Sequence, residues 1–68
     1  MFTPSRLTLA RERRRLTKKA LAQAIDVTPH TVLRYESGEI APSDEALDSL
    51  ARVLKFEREF FCLPDVDT

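Results

Sequence analysis

The amino-acid sequence predicts an all-α fold, a compact bundle of five short helices, on three observations. Thr3-Pro4 and Thr28-Pro29 each set an N-capping residue before a proline at a first helical position. Leu47, Leu50, Ala51 and Leu54 fall at i, i+3, i+4 and i+7, the spacing of one buried helix face. No run sustains the alternation of a strand, and there are no repeats or low-complexity tracts.

The elements follow in chain order. From Thr3-Pro4 a first helix runs over about residues 4 to 14, with Leu7, Ala10 and Arg14 on one face. Thr17 caps a second over about residues 18 to 25, where Leu21, Ala22 and Ile25 share a side. Asp26-Val27 then turns the chain into a third helix over about residues 29 to 36, ended by Ser37 and the only glycine, Gly38. Ser43 caps a fourth over about residues 43 to 54, with Asp44 and Glu45 at the positive end of its dipole. A short fifth helix over Glu57 to Leu63 sets Phe60 and Phe61, with Phe56, at the base of the bundle, where Cys62 packs as a small hydrophobe. Residues 1–63 form the domain and residues 64–68 a tail or linker.

At 68 residues the chain is one small domain. A domain of about 60 residues buries only roughly 60% of its unfolded surface, so stability is marginal and most autonomous enzymes are excluded. A single cysteine and a single histidine rule out an internal disulfide and a zinc site of four Cys/His ligands. No cofactor or metal is expected. No apolar run approaches the roughly 18 to 20 residues of a spanning helix, and Met1-Phe2-Thr3-Pro4 lacks the regions of a signal peptide. The expectation is a cytoplasmic protein with no membrane partner.

Eleven basic and eleven acidic side chains cancel, but they are unevenly spread. Residues 1–37 carry eight basic against three acidic; residues 38–68 carry three against eight. Such a distribution presents one face to a polyanion and turns the other away. The densest run is Arg13, Arg14, Arg15, Lys18 and Lys19, part of which is expected to steer toward or touch phosphates.

Two short helices, a tight turn and a second helix capped by Thr28 and ended by Gly38 make a helix-turn-helix unit. At about 100° per residue, Val32, Tyr35 and Glu36 cluster on the docking side of the third helix. His30 and Arg34 project opposite, Thr31 and Leu33 flank them, and Pro29 sits at the tip.

The run Arg6-Leu7, Ala10-Arg11, Leu16-Thr17, Leu21-Ala22, Val27-Thr28, Val32, Tyr35-Glu36, Gly38 and Pro42-Ser43 resembles the phage Cro/repressor type of helix-turn-helix, the XRE family of bacterial transcriptional regulators. The likeness spans about residues 4 to 63. The opening Met1 to Glu12 and the ending Phe60 to Asp65 further resemble the N-terminal domain of proteins that join this module to an ImmA/IrrE-type metallopeptidase. The peptidase's HExxH helix is absent from this sequence, so no catalysis is expected of it.

The resemblance implies a lambda repressor-like fold, a double-stranded DNA operator as partner, a homodimer on that DNA, and a fused C-terminal domain. It places base contacts at Pro29, His30 and Arg34, and phosphate contacts at Thr17, Lys18, Thr28, Thr31 and Ser37. Chemistry supports the assignments: an arginine bonds guanine O6 and N7 as a fork, and a proline presses on a thymine methyl. It also implies a structural ion pair of Arg11 with Glu36, with Arg11 as a secondary phosphate contact. The chain departs from the family at Arg15 and Lys55, where Gly is usual, at Lys18 for Gln and Ser37 for Asn, and at the acidic Glu39, which repels a phosphate backbone.

The function expected first is therefore sequence-specific DNA binding by a transcriptional regulator, a repressor. The alternative is a protein-interaction or antitoxin-like module, or the regulatory N-terminal domain of a metallopeptidase, working through the acidic fourth helix and the Phe60/Phe61 end.

Overall fold

The computed structural model describes residues 2–64. Four α-helices, α1 (Pro4–Arg13), α2 (Lys18–Ala24), α3 (Pro29–Ser37) and α4 (Asp44–Leu54), precede a 3-10 turn at Arg58–Cys62, and no strand occurs among the described residues. None of these helices is long and apolar enough to cross a membrane.

Three helices start as their capping residues dictate. The hydroxyls of Thr17, Thr28 and Ser43 accept from the amides of Ala20 (3.0 Å), Thr31 (3.2 Å) and Ala46 (3.2 Å). Thr3 differs. Its hydroxyl donates to the Leu63 carbonyl and its amide to Phe61 O at 2.6 Å. The proline at the start of α1 removes one orphan amide, and the Thr3 carbonyl accepts from Arg6 N at 3.0 Å.

All four helices end in one kind of turn, each at a residue in the left-handed backbone region: Arg15 (φ 57°), Asp26 (61°), Gly38 (83°) and Lys55 (60°). The next residue's amide reaches back five positions: Leu16 to Arg11 O (3.2 Å), Val27 to Ala22 O (2.9 Å), Glu39 to Arg34 O (3.0 Å) and Phe56 to Ala51 O (3.2 Å). Asp tolerates this conformation better than most residues, whereas Arg15 and Lys55 each hold it at a cost of about 1 kcal/mol.

The core forms where the four apolar faces meet. Leu7, Ala10, Leu21, Ala22, Val32, Leu50, Leu54 and Phe61 have no solvent exposure, and Ile25, Tyr35 and Leu47 very little. Phe61 binds the chain's end to this core. Its ring meets Phe60 edge-on at 5.4 Å, Phe60 stacks on Phe56 at 4.4 Å, and the Arg6 guanidinium lies 4.8 Å over Phe60.

Three expectations change. The fifth helix is not α-helical: the segment closes with the tighter bonds of a 3-10 turn, Phe60 N to Glu57 O at 3.0 Å and Leu63 N to Phe60 O at 3.4 Å. Cys62 is exposed, because Phe60 and Phe61 take the inward positions of that turn. Arg14 is no free charge. Its Nε donates to Leu54 O at 2.7 Å and its Nη2 to Lys55 O at 3.3 Å, with the guanidinium 5.0 Å over the Phe56 ring, so it satisfies carbonyls at the end of α4. The expected boundary at residue 63 and most of the tail lie at or beyond the edge of the described residues.

Candidate nucleic-acid interface

The arrangement begins with α3. Thr28 and Pro29 start it, Thr28 and Thr31 hydroxyls lie 2.9 Å apart, and Gly38 stops it. Buried Val32 and Tyr35 fix its rotation, so Pro29 and His30 are exposed at its tip and Arg34 is partly exposed one turn on. Four residues share the outward stripe at i, i+3, i+4 and i+7: His30, Leu33, Arg34 and Ser37. Leu33 is 47% exposed in the middle of this stripe rather than on a flank. The same helical arithmetic applied to Leu33 would have found it.

Two members of the stripe have internal partners. The Ser37 hydroxyl donates to Arg34 O at 3.1 Å and accepts from Glu39 N at 3.4 Å, so its hydrogen is already engaged. Arg34 Nε lies 3.2 Å from Glu39 Oε2. Nε is enclosed but makes no hydrogen bond, since the carboxylate stands off the line of its N–H; the contact is ionic.

The start of α2 lies on the side of the last turn of α3, since Arg11 donates both to Leu16 O and to Glu36. Thr17 is exposed with its hydroxyl engaged by Ala20, Lys18 is half-buried and Lys19 exposed. No acidic residue occupies the first turn of α2. Arg13, Arg15, Lys18 and Lys19 form no ion pair among the described residues, which leaves four free cations near this end. Arg6 is held internally, its Nε donating to Pro64 O at 3.1 Å.

Arg11 lies behind the stripe. Its Nε and Nη2 donate to the two Glu36 oxygens at 2.7 and 3.3 Å, and Nη1 donates to Leu16 O at 2.8 Å. Thr8 completes the cluster by donating to Glu36 Oε1 at 2.9 Å, a contact that sequence reasoning missed. With three nitrogens engaged and its side chain 11% exposed, Arg11 offers little surface to an outside phosphate.

The start of α4 is acidic, with Asp44 and Glu45 in its first turn. Arg58 pairs with Asp44 and Asp48 at 3.4 and 3.1 Å, beside a shallow groove of about 390 Å³ lined by Leu47, Arg58, Glu59, Cys62 and Leu63.

Residues 5–59 match the family model described as "Helix-turn-helix domain". Among solved structures, the fold is similar to the P22 c2 repressor in complex with a synthetic operator, at 20% identity and a TM-score of 0.84 over 90% of this chain and 92% of that one. It is also similar to the solution structure of the DNA-binding domain of the P22 c2 repressor, at 19% identity and a TM-score of 0.85 over 91% of this chain and 82% of that one. At these identities the likeness is one of fold. No curated protein sequence matches the chain.

Proposed function

The chain belongs to the helix-turn-helix domain family, and on that premise we propose that it binds double-stranded DNA sequence-specifically as a repressor-like transcriptional regulator of the cytoplasm. The observation that carries this reading is the outward stripe of α3 beside the unpaired cations of α1 and α2. A helix stripe with polar and basic groups at its exposed end fits a major groove, and free cations next to it fit phosphates.

In this reading α3 enters the groove. Arg34 presents its guanidinium to a guanine, His30 meets a base edge, and Pro29 and Leu33 press on thymine methyls. Lys18 and the hydroxyls of Thr17, Thr28 and Thr31 contact phosphates; Ser37 does so only by giving up its bond to Arg34 O, and Arg11 acts chiefly by holding Glu36. A homodimer placing two copies of α3 roughly 34 Å apart would read an inverted repeat. The shallow groove at the acidic end supports a second role for that end, docking against a fused domain such as the metallopeptidase suggested by the resemblance.

The test is selection of bound duplexes from a random library at low salt, followed by affinity against salt concentration. An enriched motif with a steep negative salt slope is the expected result. Arg34→Ala should relax one base position, and Lys18→Ala should weaken all sequences alike and reduce the slope by about 1. Binding unchanged by both substitutions would refute the reading.

A further inference from the structure

The four helix ends share one backbone turn but differ in the residue after it, and the difference falls at the proposed reading helix. After the left-handed residue, α1, α2 and α4 continue with Leu16, Val27 and Phe56, apolar side chains packed against the core. After Gly38 the chain continues with Glu39, whose side chain is 60% exposed. This turn brings the residue after the left-handed position against the residue five before it, a meeting that is ordinarily hydrophobic. Here it joins Glu39 to Arg34, by the amide–carbonyl bond of 3.0 Å and by the carboxylate 3.2 Å from Nε.

The ion pair engages one edge of the guanidinium. Nε is enclosed against the protein, while Nη1 and Nη2 have no partner among the described residues. Those two nitrogens are the in-plane fork that matches O6 and N7 of guanine. A free arginine samples many rotamers and pairs with any nearby phosphate; one held by its Nε edge points its fork in one direction.

We propose that Glu39 is a specificity-determining positioning residue: it holds Arg34 by the Nε edge so that the Nη fork meets a guanine, and its charge weakens binding to phosphate. The proposal rests on the DNA-binding reading above. Glu39 then sets the ratio of specific to non-specific binding, which explains how an acidic residue can follow a reading helix without defeating it.

The test uses the full chain and its Glu39→Ala, Glu39→Gln and Arg34→Ala variants. Each is titrated with the duplex selected by the wild type, with that duplex after its Arg34-dependent guanine is changed to adenine, and with a duplex of A·T pairs only. Arg34→Ala should abolish the guanine preference. Glu39→Ala should reduce it about fivefold, the scale of a partly exposed ion pair, while binding the A·T-only duplex more tightly. Glu39→Gln keeps the length of the side chain but not its charge, and because the contact with Nε is ionic it should lose the preference as Glu39→Ala does and share the A·T-only gain. A wild-type thermal midpoint in both Glu39 variants separates positioning from loss of the turn. A guanine preference unchanged in Glu39→Ala, or kept in Glu39→Gln, overturns the proposal and leaves DNA binding standing. A wild-type chain that selects no motif removes the DNA reading and this proposal together.

Discussion

Glu36 receives the Arg11 guanidinium through both of its oxygens, 2.7 Å from Nε and 3.3 Å from Nη2, and so joins α1 to the end of α3. The side chains are 11% and 7% exposed, and Thr8 supplies a further donor to the same carboxylate. Most lone pairs and protons of the pair are satisfied, which lets an ion pair persist beside an apolar core. Its removal one partner at a time leaves the other charge enclosed.

Arg11→Met and Glu36→Leu should therefore each destabilise the domain by about 3–5 kcal/mol, while the double variant should recover much of the loss. Urea denaturation of the four proteins checks this. A double variant as unstable as the sum of the singles would show that the two side chains act independently.

Arg14 and its neighbour Arg13 should separate stability from nucleic-acid affinity. Arg14 donates to two carbonyls at the end of α4 and lies over Phe56, so Arg14→Ala should cost about 2 kcal/mol. Arg13 is exposed and unpaired, and its substitution should stay within about 0.5 kcal/mol. On DNA the order should reverse: Arg13→Ala, like Lys18→Ala and Lys19→Ala, should reduce the salt slope by about 1 for each phosphate left without its cation, and Arg14→Ala should leave it unchanged. Thermal melts and affinity against salt, measured on the same variants, read both scales.

The left-handed residues give a third prediction. Lys55→Gly and Arg15→Gly should each stabilise the domain by about 0.5–1 kcal/mol by relieving backbone strain, and the two effects should add because they act at different helix ends. For a domain of this size, 1 kcal/mol corresponds to about 4–8 °C in thermal midpoint. Gly38→Ala should act in the opposite direction by about 1 kcal/mol. A Cβ there would meet Pro4 Cγ at 3.5 Å, an ordinary contact, so its cost comes from the φ of 83°.

These residues also show where the fold was legible in the sequence. Thr17, Thr28 and Ser43 act within three residues of themselves, and the stripe from Leu47 to Leu54 repeats with the helix; local spacing carries such information. Arg14 was not legible as a cap because its carbonyl partners lie 40 and 41 positions away. The bond from Thr8 to Glu36 spans 28 positions and was hidden for the same reason. Glu57 to Leu63 has helical composition, and composition alone does not distinguish an α-helix from a 3-10 turn. In the sequence Glu39 shows only as a charge repelling phosphate. Its place beside Arg34 follows from the turn at Gly38, and only the backbone geometry shows that turn bringing the two side chains together.

Leu33 supplies the last prediction. It is 47% exposed between His30 and Ser37 on the outward stripe of α3, where it supports none of the buried core. An apolar side chain there, set beside the edge of a base pair, meets a thymine methyl and gains by excluding water from it. Leu33→Ala should therefore leave the thermal midpoint almost unchanged and lower affinity for the selected duplex by about fivefold to tenfold, the effect of roughly 1 kcal/mol less apolar burial. The loss should concentrate at one thymine: uracil, which lacks the methyl, should weaken wild-type binding at that position and have little further effect on Leu33→Ala. Equal sensitivity of both proteins to every thymine-to-uracil change would place Leu33 outside the groove. The rotation of α3 on the DNA would then have to turn toward His30 and Pro29.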